Sequence, residues 1–448
     1  MNAPLIWILF PALLAAIGFF LRRWHRVVTI VLALAALLLA AAARFAPIGE
    51  VVIFGPWAFT LSERLVFAGR QFVIGAGEQE MLTSVYLLLG FFLVGALPAE
   101  VSDWFATLSM GMTAVLVASL AVEPFLYAAL FIEVAVLLGV PLLSPPEELA
   151  GRGVLRYLTF LSLGMPFMLF AGWQISSIAA NTTDPAVLLP ALAFLGFGFA
   201  FLLAIFPLNS WIPMLSEHEH PYAAAYVILL LPMIVISLLL RFINAYVWLL
   251  DLEIVQVAGL LMTVTGGLWA TFLRNLGRLL GFALIIEIGS SLLAISSPAG
   301  LSIYTAMLAP RILAVGVWAL SLARLRKVTD GNLSFRAVKG IGRIYPVSAL
   351  GVLVGIFSLA GFPFLASFPA RLMLLGQLAQ ISFSTAAWTL LGSAGLLVGG
   401  LRTLTVLVME PDDRSTPENR GGMVWFAQGL IAAGILGLVI LGILLLVL

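Results

Sequence analysis

Cysteine is absent from the 448 residues, which excludes disulfides, thiolate nucleophiles, iron-sulfur ligation and thioether haem attachment together. Histidine is scarce: His25, His218 and His220 are the only three, and none lies inside an apolar stretch where it could ligate a membrane-embedded haem. Any electrons in a redox system containing this chain therefore travel through other chains, and no cofactor or bound metal is expected here. Charge is scarce as well. Charged side chains make up 10% of the residues, where about a quarter is usual. The 22 basic and 21 acidic groups leave no basic excess to neutralise a nucleic-acid backbone, so nucleic acid is not the expected partner. No Lys or Arg precedes Arg22, so the basic start of a cleavable signal peptide is missing and the first apolar stretch is expected to remain as a helix.

What is abundant is apolar surface. Apolar residues are 62% of the chain and the mean hydropathy is +1.16, so most of the exterior must face lipid. The expected fold is all-α and polytopic, with the bilayer as its solvent. A ruler of about 20 apolar residues per crossing yields fourteen spans. They fall near 4–21, 27–43, 81–97, 104–121, 125–143, 154–178, 186–206, 222–243, 254–273, 278–296, 301–322, 346–381, 385–408 and 424–446. The twelfth is too long for one straight crossing and contains Gly361, Phe362, Pro363 and then Pro369, which predicts two half-helices around a break. The seventh ends in a similar interruption at Pro207 and Pro213.

Basic residues are distributed unevenly between the two sets of loops. Arg22, Arg23 and Arg26 follow span 1; Arg152 and Arg156 follow span 5; Arg274 and Arg278 follow span 9; Arg324, Arg326, Lys327, Arg336, Lys339 and Arg343 follow span 11; Arg414 and Arg420 follow span 13. With fourteen crossings all of these share one side, which the positive-inside rule makes cytoplasmic, and both termini then face outward. Residues 50–75 mix Val51, Ile53, Phe59 and Leu61 with Glu50, Glu63, Arg64 and Arg70, with turn signals at Gly55-Pro56 and Gly75, which predicts a short external hairpin. The stretch from Arg324 to Tyr345 holds both lysines and is expected to lie as a loop along the cytoplasmic surface, against anionic lipid or a partner subunit. Interruptions in spans 7 and 12 suggest two inverted five-helix repeats, about 104–243 and 254–408, each broken in its fourth helix at the transport pathway.

An ionisable group in the hydrocarbon core costs at least about 2.5 to 3.5 kcal/mol, so each needs a reason. Glu133 and Glu287 sit mid-span in Phe131-Ile132-Glu133-Val134 and Ile285-Ile286-Glu287-Ile288. Burial disfavours a carboxylate's charge and a nearby cation favours it, so such a group can trade a proton near neutral pH or simply lock two helices together. Arg311, Arg371 and Arg402 are the basic counterparts, fixed charges that tune neighbours and do not titrate. For Arg402, near the end of its span, snorkelling to the interface is expected. After span 7, Glu217, His218, Glu219 and His220 put two carboxylates and two imidazoles in four consecutive positions, either a solvated turn or a place where protons enter.

These residues resemble the antiporter-like subunits of proton-pumping NADH:quinone oxidoreductase, a family shared with membrane-bound hydrogenases and Mrp-type sodium/proton antiporters. Glu133 resembles the family's glutamate helix. Pro207 to Trp211 with Pro213, then His220-Pro221-Tyr222-Ala223-Ala224, resembles its Pro-rich signature. Arg278-Leu279-Leu280-Gly281-Phe282 resembles its tenth-helix motif, Leu359-Ala360-Gly361-Phe362-Pro363 followed by Arg371 its second break, and Leu401-Arg402 its late Leu-Arg pair. The resemblance implies an ion-translocating membrane subunit working with other membrane subunits of a complex I-like or hydrogenase-like assembly in the cell inner membrane. The chain also departs from the pattern. The lysine implied in span 7 is Leu202, span 8 has no lysine, the lysine implied in span 12 is Arg371, and a usually uncharged position is Glu287. Three readings follow: a proton pathway through Glu133, Glu287, Arg311 and Arg371, an Mrp-type antiporter subunit, or a chain that has lost pumping and only docks its neighbours.

Overall fold

The computed structural model describes residues 2–54, 57–67, 69–145, 150–177, 185–245, 252–410 and 422–447. Arg414, Arg420 and the turn signal at Gly55-Pro56 lie outside the described residues.

The chain is a multi-pass membrane protein, because helices are the one way for an open chain to satisfy every backbone donor and acceptor inside lipid. A π-type turn, Leu5–Leu9, leads into α1 (Phe10–Phe20); α2 is His25–Phe45 and α3 Gln79–Val94. After the single turn α4 (Ala96–Ala99) come α5 (Phe105–Ala121), α6 (Ala128–Leu143), α7 (Arg152–Ser177), α8 (Pro185–Leu202), the short α9 (Trp211–His218) and α10 (Pro221–Ala245). The second half holds α11 (Leu252–Phe272), α12 (Leu276–Ile295), α13 (Gly300–Val328), a turn α14 (Ile341–Ile344), α15 (Pro346–Ala360), α16 (Phe368–Ile381), α17 (Phe383–Val408) and α18 (Gly422–Val447). Nine helices among the described residues are long and apolar enough to cross a membrane; Leu5–Phe20, Phe105–Ala121, Leu188–Leu202 and Pro346–Ala360 are shorter apolar helices.

Burial separates a central set from a lipid-facing ring. In the most apolar window of α10 and of α12, 89% of residues are buried, and in α13 83%, against 22% in α18 and 39% in α11 and α17. A helix that is apolar all round and buried all round has no face left for lipid, so α10, α12 and α13 form the core on which the others pack. Small residues let the backbones close up where no hydrophobic drive between helices exists. A Cβ on Gly289 would lie 2.7 Å from the carbonyl oxygen of Gly259, and one on Gly259 2.8 Å from that of Gly289, so α11 and α12 touch backbone to backbone.

Two expectations are corrected. Residues 51–73 form two antiparallel hairpins instead of one: β1 (Val51–Phe54) pairs with β2 (Trp57–Thr60), and β3 (Arg64–Phe67) with β4 (Arg70–Val73), which β5 (Val122–Glu123) extends. The overlooked turn residue is Gly69, whose φ of +72° suits glycine, whereas Gly75 starts the short helix leading into α3. The polar stretch after Arg324 is also shorter than expected. Arg324, Arg326 and Lys327 belong to the last turns of α13, where cations suit the carbonyl end of a helix.

Candidate functional site

α8 ends at Leu202 and α9 begins at Trp211; α15 ends at Ala360 and α16 begins at Phe368, so both prolines, Pro207 and Pro363, lie in breaks between helices. Each break also holds a non-glycine residue in the left-handed region, Ala204 at φ +53° and Phe364 at φ +67°. Such conformations cost about 1 to 3 kcal/mol and persist where the surroundings enforce them.

The second break positions the chief charged cluster. Glu287 on α12 is 3% exposed, Arg311 on α13 4% and Arg371 on the first turn of α16 5%, so all three are out of reach of bulk solvent. The Nε of Arg311 donates to Oε2 of Glu287 at 2.6 Å, one of its terminal nitrogens donates to Ser291 Oγ at 2.7 Å and the other to the Glu287 backbone carbonyl at 3.1 Å. Arg371 donates to the other carboxylate oxygen, Oε1, and to Ser393 Oγ on α17 at 3.1 Å. One carboxylate thus serves two guanidiniums from two helices. In formal charges the cluster holds one anion and two cations, and Nε of Arg371 is buried with no hydrogen-bond partner. The break makes this contact possible: Gly361 has φ +78°, and a Cβ there would sit 2.7 Å from Cδ of Arg371. The arginine stem therefore lies across the glycine that ends α15.

Glu133 stands apart from this cluster. It is half-buried on α6 and accepts from Ser162 Oγ of α7 at 2.7 Å, while its second oxygen is buried with no hydrogen-bond partner. Leu202, where the resemblance implies a lysine, is 1% exposed and packs over Gly164 of α7.

The end of α9 and the turn after it divide the four polar residues Glu217, His218, Glu219 and His220. Glu217 pairs with Arg278. His218 is exposed, with Nδ1 2.9 Å from the Met214 carbonyl oxygen. The His220 ring turns inward, its Nδ1 buried and without a partner. Burial first, and then the Arg326 guanidinium, pull His220 down to about 4, against weaker upward pulls from the Ala99 backbone and Glu100. Beside it lies a cleft of about 480 Å³ lined by Glu100, His218, Glu219, His220, Arg324 and Lys327, in which Lys327 Nζ meets Glu100 at 2.6 Å. Among the described residues no three His, Asp or Glu side chains gather in a group that could hold a metal.

Arg402 lies near the end of α17 and reaches the last turn of α11. Part-buried, it donates to the Thr271 carbonyl of α11 and lies 5.8 Å from the Phe335 ring, tying α17 to α11. Ser162, Ser291 and Ser393 escaped sequence reasoning. Ser291 carried a usable signal, since it sits four residues after Glu287 and so on the same helix face; Ser162 and Ser393 carried none.

Comparison with known proteins bears on the arrangement as a whole. Residues 158–397, more than half of the chain, match the family described as NADH:quinone oxidoreductase/Mrp antiporter, TM. NADH-quinone oxidoreductase subunit N 1 of Herpetosiphon aurantiacus is 26% identical over 281 residues, covering 61% of this chain and 56% of that subunit, so the match spans little more than half of the relative's length. A chain of the Mrp complex from Dietzia sp. superposes with a TM-score of 0.82 at 19% identity, covering 98% of this chain and 94% of that one. A chain of respiratory complex I from Thermus thermophilus does so at 0.74 and 20%, covering 98% and 97%. The fold is therefore common to these chains, and with the family profile running from α7 into α17 this chain belongs to the NADH:quinone oxidoreductase/Mrp antiporter family of membrane subunits.

Proposed function

We propose that the chain is a proton-translocating membrane subunit of a redox-driven pump of the NADH:quinone oxidoreductase type, supplying the path while other subunits carry the electrons. The observation that carries this reading is the sharing of the buried Glu287 carboxylate between Arg311 and Arg371, the latter emerging from a helix break. A carboxylate between fixed cations is the one member of that trio whose charge can change, and a change there alters what holds Arg371 across Gly361.

The proposed pathway comprises Glu133, Glu287, Arg311 and Arg371, with Glu217, His218 and His220 at its cytoplasmic mouth and the breaks at Pro207 and Pro363 opening the backbone along it. In the proposed architecture fourteen crossings include two inverted repeats, 104–243 and 254–408, and Glu133 and Glu287 each fall on the second helix of their repeat. The same scheme puts the chain in the cell inner membrane with both termini outside. An Mrp-type antiporter subunit is the second reading, favoured by the superposition on the Mrp complex chain.

Affinity purification from the native membrane in mild detergent, with mass spectrometry of the associated chains, separates the two. Cysteine-rich iron-sulfur and quinone-site subunits in the same particle are the expected result; a particle of small membrane subunits alone would overturn the redox-driven reading in favour of the antiporter.

A further inference from the structure

Two cavities on the outer face of the bundle join end to end and change chemistry where they meet. The first, of about 400 Å³, is lined by Ile30, Ala33, Leu34 and Leu37 of α2, Leu93 and Val94 of α3, and Phe426 of α18, with no charged side chain. The second, of about 340 Å³, is lined by His25, Arg26, Glu100, Ser102 and Asp103. Thr29, Leu97 and Met423 belong to both. Along α2 the apolar slot runs from Thr29 to Leu37, about 12 Å at 1.5 Å per residue, which is most of one leaflet of a hydrocarbon core about 30 Å thick. Its walls include side chains turned to lipid, Ile30 at 52% and Leu34 at 57% exposure. The polar cleft sits at the start of α2, beside Arg22, Arg23 and the exposed Trp24, a residue type that favours the membrane surface.

We infer that this composite cavity is a binding site for one glycerophospholipid, its acyl chain in the slot between α2, α3 and α18 and its phosphate on Arg26 and His25. The charges in the cleft favour this ligand. Among the described residues Glu100 is paired with Lys327, Asp103 lies 3.7 Å from His25, and Arg26, which also lines the cleft, is in no ion pair, so it is the cation placed to meet an anion. Asp103 remains largely exposed, placed to meet the ammonium of an ethanolamine headgroup once His25 turns to the phosphate. The slot ends after about 12 Å, the depth of one leaflet, which suits a single acyl chain and falls short of a helix crossing the full hydrocarbon core of about 30 Å. The site is independent of the proton pathway and stands or falls without it.

The test uses the full chain in its native membrane, supplied with phosphatidylethanolamine carrying a photoactivatable group on one acyl chain. Adduct formation at Leu34 and Phe426 is expected to exceed that at Leu163 and Leu390, which face lipid on α7 and α17, by about tenfold. Arg26→Ala is expected to lower the adduct about fivefold, the effect of one cation near a membrane surface. Leu34→Trp, which fills the slot and leaves the charges unchanged, is expected to abolish it, and so keeps the inference testable should the arginine variant fold poorly. Equal labelling at all four leucine and phenylalanine positions would overturn the inference, as would cross-linking of Leu34 to another subunit's peptide in place of lipid. Competition by inorganic phosphate alone would also overturn it, by reducing the site to an anion cleft; competition by unlabelled phosphatidylethanolamine but not by phosphate supports it.

Discussion

The two oxygens of the Glu287 carboxylate are divided between Arg311 on one side and Arg371 on the other. Among the described residues neither arginine meets another carboxylate, and their remaining bonds go to Ser291, Ser393 and a backbone carbonyl. Removing the anion therefore strands two buried guanidiniums, whereas removing one arginine leaves an intact pair.

From this the order of damage follows. Glu287→Gln is predicted to destabilise the chain by about 3 to 5 kcal/mol, the usual cost of orphaning a buried charge, and Arg371→Gln by clearly less. Thermal unfolding of the purified variants in one detergent measures the order; a Glu287→Gln variant as stable as wild type would show that the cluster is not held together by its charges.

Glu133 calls for a different experiment, because its polar contact in the fold is the hydroxyl of Ser162. Gln is nearly isosteric and can still accept that bond, so Glu133→Gln is predicted to fold and assemble normally while lowering proton pumping per electron in the assembled complex. Pumping at the wild-type ratio would remove Glu133 from the pathway and favour a purely structural role for this half of the chain.

Gly361 carries two constraints at once, a left-handed backbone and the stem of Arg371 against its Cα. Gly361→Ala is predicted to cost about 1 to 3 kcal/mol and to disturb the cluster with it. Gly376→Ala on the following helix is the control, since nothing lies within 4 Å of its Cβ position and its φ is ordinary. There a gain of about 0.5 to 1 kcal/mol is expected, because alanine favours a helix interior. Melting temperatures of the two variants, compared with wild type, check both signs.

His220 makes stability depend on pH in a defined direction. Its folded value of about 4 lies below the ordinary value of 6.5, so the folded state prefers the neutral ring. The stabilisation is complete above pH 6.5 and is lost as the pH falls from there towards 4. Thermal unfolding of wild type and His220→Gln across pH 4 to 8 tests this. The variant should lose the part of the acid sensitivity that belongs to this ring, and parallel curves would contradict it.

Much of the architecture was legible in residue order. Runs of about 20 apolar residues mark helices because lipid leaves no other way to satisfy the backbone. Pro207 and Pro363 do fall in interruptions, but Pro213 lies inside α9 and Pro141, Pro166, Pro190, Pro232 and Pro310 lie inside continuous helices, so proline alone does not mark a break. The second hairpin was missed because a lone glycine, Gly69, sets its turn, and one glycine is a weak signal. The inward turn of His220 was equally hidden: Glu217, His218, Glu219 and His220 are contiguous in sequence, but a helix ending at His218 sends neighbours in different directions.

Sequence alone determined that the chain lives in a bilayer, that it carries no thiol chemistry, and that Glu133 and Glu287 are the mid-span carboxylates. These follow from composition and from the cost of burying charge, which depend on no partner. Only the tertiary structure decided that Glu287 is clamped by Arg311 and Arg371 while Glu133 meets a serine. Which charges meet is set by how α12, α13 and α16 cross, by a backbone contact between glycines of α11 and α12, and by a left-handed turn at Gly361. Those are distances across 24 and 84 residues of chain, which local pattern does not encode.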